Sequence, residues 1–320
     1  MQRNCSIDIV KALAALLVIC IHTGYPSLIG DYVVALCRIA VPLFLLISGY
    51  YYQNVINKKK ITDYCKKIFG LTFFSSLFYF IAFDKNIDYL LVFRWDKMLI
   101  FNFPIAGDHL WYLFSLINVL VILAVCHKIK DRLFCLIPFL LLGNYILSFS
   151  PKFWLYRNFL FTSLPYFLIG MYIYKYNKQI LALLKKNTLI YIFIIGLILL
   201  AFEVFMYKLF DLIYIRDHYL MTPILAMAIF NYALVVKKQK KNILSIIGKK
   251  YSTYIYILHI FILSYYRQIK SILDYNDNYV SYIKPLIIFI LTLLVSFIIL
   301  QIYNLFKRCY INIKKLYVSV

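Results

Sequence analysis

Long apolar runs separated by short lysine clusters fix the class of fold before any motif is read. A stretch of 17 or more mostly apolar residues is long enough to cross a bilayer as a helix. Ten such stretches occur, at 8–24, 33–53, 64–83, 109–126, 133–149, 158–175, 188–206, 218–236, 252–268 and 284–306. They are set apart by clusters such as Lys58-Lys59-Lys60 and the basic run 237–241. Only 15% of the 320 residues are charged and 64% are hydrophobic. A soluble domain carries about 25% charged residues, so this chain lacks the polar surface to cover one. The sequence predicts an all-α, polytopic membrane protein of about ten transmembrane helices. The segment from Ile87 to Phe103 is apolar but interrupted by Arg94, Asp96 and Lys97, which suits a re-entrant or interfacial piece better than an eleventh span.

The net charge of +22 invites a nucleic-acid partner, but such a partner needs the cations on one continuous face. Here they fall in short clusters between apolar runs. Cytoplasmic loops collect Lys and Arg. An N-terminus inside places 1–11, 54–67, 127–132, 175–186, 237–250 and 307–320 there, with about two-thirds of the basic residues. The expected topology is therefore N-in and C-in. Residues 12–21 have the length of a signal-peptide core. However, Asp8 and Lys11 make a poor positive region and no small-x-small site follows, so the expectation is an uncleaved first helix. The seven cysteines are scattered without a CxxC pair, which supports neither a disulfide framework nor a metal site. No repeat, linker or second domain is visible, and residues 1–320 read as one membrane domain.

Ionisable residues within spans are costly unless paired or wet, and so they carry the functional information. The candidates are Asp8, Lys11 and His22 on the first span, Arg38 on the second, His109 opening the fourth, Glu203 on the seventh and His259 on the ninth; His127 and His218 fall at span ends or in loops. Eleven residues separate Lys11 from His22, a rise of about 16.5 Å and roughly three full turns, so both face one side of the helix. Asp8 is placed to pair with Lys11. Plainer readings stand beside these: Lys11 snorkels to the interface, His22 and His109 are interfacial, and His259 makes a structural hydrogen bond. On the second span, Arg38 precedes Pro42 by one turn, and Ser48-Gly49-Tyr50 closes the segment. Pro42 removes a helical hydrogen bond and can open a bend whose freed groups line a cavity. Gly49 permits close approach of a helix or ligand.

Together these segments resemble the acyltransferase family 3 membrane proteins. Residues 7–22 are similar to the family's opening helix, a basic residue followed by ten residues and histidine. Val41 to Tyr50 resemble its second-helix motif, Gly107 to Leu113 its "hLWyL" segment, and Tyr254 to His259 its late "iYllH" element. The resemblance implies transfer of an acyl group, usually acetyl, from acyl-CoA to a surface polysaccharide or its lipid-linked precursor. His22 would then be the catalytic histidine, with His109 beside it, and Lys11 the basic member of the Lys-x10-His motif. Arg38, Ser48 and Lys67 are assigned with Lys11 to the acetyl-CoA donor, and Trp111, Tyr112 and His259 to the substrate. The stretch Tyr64-Cys65-Lys66-Lys67 departs from the family's Arg-x-x-Arg pair, and it suggests a divergent, stand-alone member. No metal is expected.

The chemistry is coherent with that resemblance. Attack by a sugar hydroxyl on a thioester needs a base near neutrality, a role that imidazole fills, and donors for the developing oxyanion. A cytoplasmic donor and an outward histidine imply an acyl arm threaded along the Lys11 face toward His22, with the acceptor entering from outside. The competing reading is a transporter or flippase for a polysaccharide or lipid-linked glycan. Such proteins often show paired discontinuous helices in both halves, and the sequence signals a break only at Pro42. A sensor or structural protein is a third class, for which no soluble output domain is recognisable.

Overall fold

The computed structural model describes residues 4–83, 85, 88–210, 212, 216–272 and 280–318. Among them there are helices and turns but no strands. The helices are α1 (Cys5–Thr23), α2 (Ser27–Cys37), α3 (Ala40–Asn57), α4 (Ile61–Ala82), the short α5 (Asp88–Val92) and α6 (Trp95–Phe101), α7 (Trp111–Val125) and α8 (Ile137–Leu147). They continue with α9 (Leu164–Lys175), α10 (Asn177–Leu183), α11 (Lys186–Leu209), α12 (Thr222–Val236), α13 (Ile243–Lys250), α14 (Ser252–Ile272) and α15 (Val280–Val318).

Six helical stretches are long and apolar enough to cross a membrane: Cys5–Thr23, Ile29–Asn57, Ile61–Ala82, Asp108–Val125, Lys186–Leu209 and Val280–Cys309. The remaining four expected spans have other forms. Arg132–Leu147 and Thr222–Val236 are shorter apolar helices, the 158–175 segment is a π-turn (Phe159–Ser163) followed by α9, and α14 carries Arg267 and Lys270 toward its end. The segment that ends at Phe103 is two short helices rather than a span; its first residue, Ile87, lies outside the described residues.

Burial sorts the helices into centre and rim. In α1, 61% of the apolar window is buried, against 22% in each of α4, α11 and α15. The rim helices turn Phe73, Phe74, Ile198, Phe202, Leu294 and Ile298 outward, an apolar exterior that suits lipid rather than water. Inside, some hydroxyls are spent on their own helix. Thr72, Ser75, Thr292 and Ser296 each donate to the carbonyl four residues back, so no hydroxyl among these four is stranded in an apolar setting.

Two local features put the functional residues where they are. The expected bend lies one turn before Pro42: α2 stops at Cys37, Arg38 and Ile39 form a turn, and α3 starts at Ala40. Pro42 has no N–H to give the Arg38 carbonyl, and the interruption sets the Arg38 side chain free of a regular helix face. At the other end of α3, the close approach that Gly49 allows is made by a helix. A Cβ at Gly49 would sit 1.9 Å from the Phe167 carbonyl oxygen, and one at Gly170 would sit 2.1 Å from that of Leu46. The α3–α9 crossing therefore brings backbone onto backbone, the use that small residues have in membrane packing.

The last turn of α1 is fixed from two sides. Arg267 on α14 donates to the His22 carbonyl at 3.3 Å and Lys284 on α15 to that of Thr23 at 3.4 Å. Cations at a helix C-terminus satisfy its free carbonyls and its dipole. His22 thus stands on a helix end held by charge.

A side chain at Gly49 must force the crossing apart. Gly49→Val is expected to cost about 3 kcal/mol or more, read as a lowered thermal unfolding midpoint in detergent. Gly70→Ala, with nothing within 4 Å of the added carbon, should leave the midpoint unchanged or slightly raised. A wild-type midpoint for Gly49→Val would contradict the packing described.

Candidate functional site

Three histidines that are far apart in sequence converge. His22 ends α1, His109 sits in the 3-10 turn Asp108–Leu110 before α7, and His259 lies midway along α14. The His259 ring is central, with centroids 5.1 Å from His22 and 5.0 Å from His109. Gly107, at φ 73°, turns the chain into the His109 turn.

Backbone carbonyls settle which nitrogen of two of these rings holds the proton. His259 Nδ1 lies 2.7 Å from the Tyr256 carbonyl, and His109 Nε2 lies 3.1 Å from that of Ile257. A carbonyl only accepts, so both nitrogens are N–H donors. The opposite nitrogens, His259 Nε2 and His109 Nδ1, are buried without a protein partner and carry the lone pairs. Tyr79 of α4 supports the arrangement. Its hydroxyl accepts from the Phe261 N–H at 3.1 Å and donates to the Ile257 carbonyl at 2.6 Å, inserting into the hydrogen-bond ladder of α14 around His259. Tyr256 in turn donates to the His109 carbonyl.

A cavity of about 80 Å³ opens beside His22 and His109, lined also by Arg38, Trp111, Tyr112, Arg157, Asp217 and Tyr256. Asp217 clasps two guanidiniums: Arg38 Nη1 at 2.6 Å from Oδ1, and Arg157 Nε on Oδ2. Burial works to raise the Asp217 carboxyl. The Arg38 and Arg157 charges outweigh it and hold the group below its usual 3.8. Arg38, which lines the cavity, keeps a buried Nε without a protein partner.

A second cavity, of about 480 Å³, lies toward the other end of α1. Lys11, Ser48, Tyr64, Lys67, Lys249 and Lys250 line it. Tyr112 and Tyr256 belong to both cavities. Their rings stand 5.4 Å apart, with Phe44 6.3 Å from Tyr112 and 6.5 Å from Tyr256, and the Tyr112 hydroxyl is 3.2 Å from Ser48 Oγ. The open path expected along α1 from Lys11 to His22 is therefore interrupted. Bulky aromatic residues of α3, α7 and α14 project across the space that α1 leaves free.

The expected site residues fall into two groups. His22, His109, Arg38, Trp111 and Tyr112 share the smaller cavity, with His259 packed behind His22 and His109. Lys11, Ser48 and Lys67 share the larger one, which separates Arg38 from the residues with which it was grouped. Sequence reasoning missed Arg157, Asp217, Tyr256, Lys249 and Lys250. Asp217 carried a usable signal, as one of few acidic residues beside an apolar segment and flanked by Arg216 and His218. Among the described residues no group of three His, Cys, Asp or Glu has a metal-holding arrangement.

The chain is similar to an "Amino-acid racemase" of Enterococcus faecalis, 26% identical over 354 aligned positions. That alignment covers 96% of this chain and 47% of the relative, so the chain spans about half the length of the curated relative it matches. No solved structure matches it. The model of the Acyl_transf_3 family, described as an acyltransferase domain, matches residues 4–301, which take in the Lys11–His22 helix, the Arg38–Tyr50 segment, the His109 turn and His259. This chain belongs to acyltransferase family 3.

Proposed function

We propose that this acyltransferase moves an acetyl group from acetyl-CoA to a hydroxyl of a cell-surface glycan or its lipid-linked precursor. Residues 1–320 act as one domain of about ten spans in a bacterial cytoplasmic membrane, with both ends on the cytoplasmic side. The observation that carries the reading is the shared wall. A lysine-lined cavity suited to a polyanionic donor meets the histidine cavity at Tyr112 and Tyr256.

Lys11, Lys67, Lys249 and Lys250 hold the donor phosphates by charge, the last two serving where the family's Arg-x-x-Arg pair is missing. The pantetheine arm runs past Ser48, and the thioester enters between Tyr112 and Tyr256 once their rings part. His22 takes the proton of the acceptor hydroxyl as its oxygen attacks the thioester carbonyl. Arg38 Nε–H faces the charge that grows on the carbonyl oxygen. Collapse of the adduct breaks the C–S bond, and the CoA thiolate recovers the proton from His22. His259 packs against the His22 ring, and His109 packs against His259 in turn; both are positioning residues in this scheme. The racemase named for the Enterococcus faecalis relative describes a protein about twice as long, and acyl transfer is the activity that the family match brings to this chain.

Three outcomes test the scheme. Membranes given radiolabelled acetyl-CoA should label glycan, and His22→Ala should lower that rate by about 10²-fold or more. Labelling at the wild-type rate would remove His22 as base, and glycan export lost on deletion, with no label in either strain, would favour a transporter. Tyr112→Ala should join the two cavities and let water reach the thioester, raising acceptor-free hydrolysis of acetyl-CoA about tenfold; hydrolysis at the wild-type rate would count against the shared wall. Asp217→Asn leaves two largely buried guanidiniums without a counter-charge and should cost about 3 kcal/mol at neutral pH. Because the Asp217 carboxyl is depressed in the fold, its contribution is full above about pH 4 and disappears as pH falls through the folded value. The unfolding midpoints of wild type and Asp217→Asn should therefore converge on acidification.

A further inference from the structure

Beside the histidine cavity lies a second recess of about 130 Å³ that the scheme above leaves unused. Its walls are Phe101, Asn102, Phe103, Pro104, Asp108, Trp111, Phe153 and Arg157, and it shares Trp111 and Arg157 with the histidine cavity. Most of it is built by the segment from Trp95 to Asp108, the apolar stretch that does not span.

Asn102 points to a ligand there. Its residue is fully buried and held at φ 57°, a left-handed conformation that asparagine tolerates better than most residues. Asn118 on α7 donates to Asn102 Oδ1 at 2.9 Å and to the Leu99 carbonyl at 2.9 Å, which fixes the orientation of the amide. Its Nδ2 is then left buried without a partner. A donor stranded in this way is costly, and in a recess it calls for a ligand oxygen.

The rest of the wall narrows the class of ligand. Phe103 and Phe153 stand 5.9 Å apart at an interplanar angle of 48°, and Trp111 completes an aromatic lining. Flat apolar faces of this kind cover the C–H face of a saturated ring, while a few fixed polar groups set its orientation. Asp108, exposed at the rim, accepts hydroxyl hydrogen bonds. Arg157 shares the single carboxylate of Asp217 with Arg38 and borders the recess on the side of the histidine cavity. We infer that this recess is a pyranose subsite, in which Asn102 and Asp108 hydrogen-bond ring hydroxyls and Phe103, Trp111 and Phe153 cover the ring face. It rests on the acyltransferase reading, and it deepens that reading by giving the acceptor sugar a seat next to His22 through the shared Trp111 and Arg157.

The test is retention of the detergent-solubilised full chain on an array of immobilised glycans, with acyclic polyols and free amino acids as comparison spots. Wild type should bind one or more pyranose-containing glycans and none of the comparison spots. Phe153→Ala and Asp108→Asn alter exposed side chains and should fold; each should lower that binding at least tenfold. Asn102→Gly, which accommodates the left-handed backbone, should do the same. Absence of glycan binding while His22-dependent label transfer persists would overturn the subsite and leave the enzyme standing. Glycan binding indifferent to Phe153→Ala and Asp108→Asn would also overturn it. Glycan binding lost in those variants, with no His22-dependent transfer, would support the subsite and contradict the acyltransferase scheme.

Discussion

The clasp of Asp217 on Arg38 and Arg157 holds together the part of this protein that helices alone would not. Two guanidiniums in a largely apolar surround demand a counter-charge, and the one supplied comes from the loop between α11 and α12. It reaches across to the break between α2 and α3, where Pro42 has ended regular hydrogen bonding, and to the stretch before the π-turn of Phe159–Ser163. Three interruptions of helical structure are thereby gathered around one cavity. Irregular backbone at membrane depth is tolerated where it lines such a space, and the functional groups stand at those irregularities.

The histidines obey the same economy. His109 and His259 each surrender one nitrogen to a backbone carbonyl and keep the other unpartnered. Tyr79, Tyr256 and His109 all bond to backbone groups at Ile257, Phe261 or His109 itself, tying α4, the His109 turn and α14 into one frame. His22 enters that frame on the end of α1, whose terminal carbonyls are capped by Arg267 and Lys284. The frame sets His22 and His109 on a cavity, with His259 packed behind them, and the far wall of that cavity, Tyr112 and Tyr256, is also the end of a lysine-lined space.

Much of this was legible in the residues. Apolar runs between lysine clusters announced a helical membrane protein, and the eleven-residue interval placed Lys11 and His22 on one helix, each lining a cavity. Pro42 announced the break beside Arg38, and Gly49 a close approach that turned out to be a helix crossing. Less legible was anything that depends on partners distant in sequence. Arg157 looked like one more loop cation, because its partner Asp217 lies 60 residues away. His259 reads as a substrate residue beside a plainer structural reading, since a single histidine in an apolar helix gives no sign that two others will face it. Hydropathy also says little about the form a span takes. Segments such as 158–175 are apolar enough in composition, but a π-turn and a short helix share their length. The aromatic wall was invisible because Phe44, Tyr112 and Tyr256 belong to three helices and follow no common spacing.

The central claim is that a donor held in the lysine cavity reaches His22 across that wall. His22→Cys, in a chain whose seven native cysteines are replaced by serine or alanine, converts the meeting point into a trap for chloroacetyl-CoA. Peptide mass analysis should find the single introduced thiol alkylated with displacement of chloride, and excess CoA should protect it. A thiol at that position left unmodified by chloroacetyl-CoA, while it still reacts with iodoacetamide, would contradict the account.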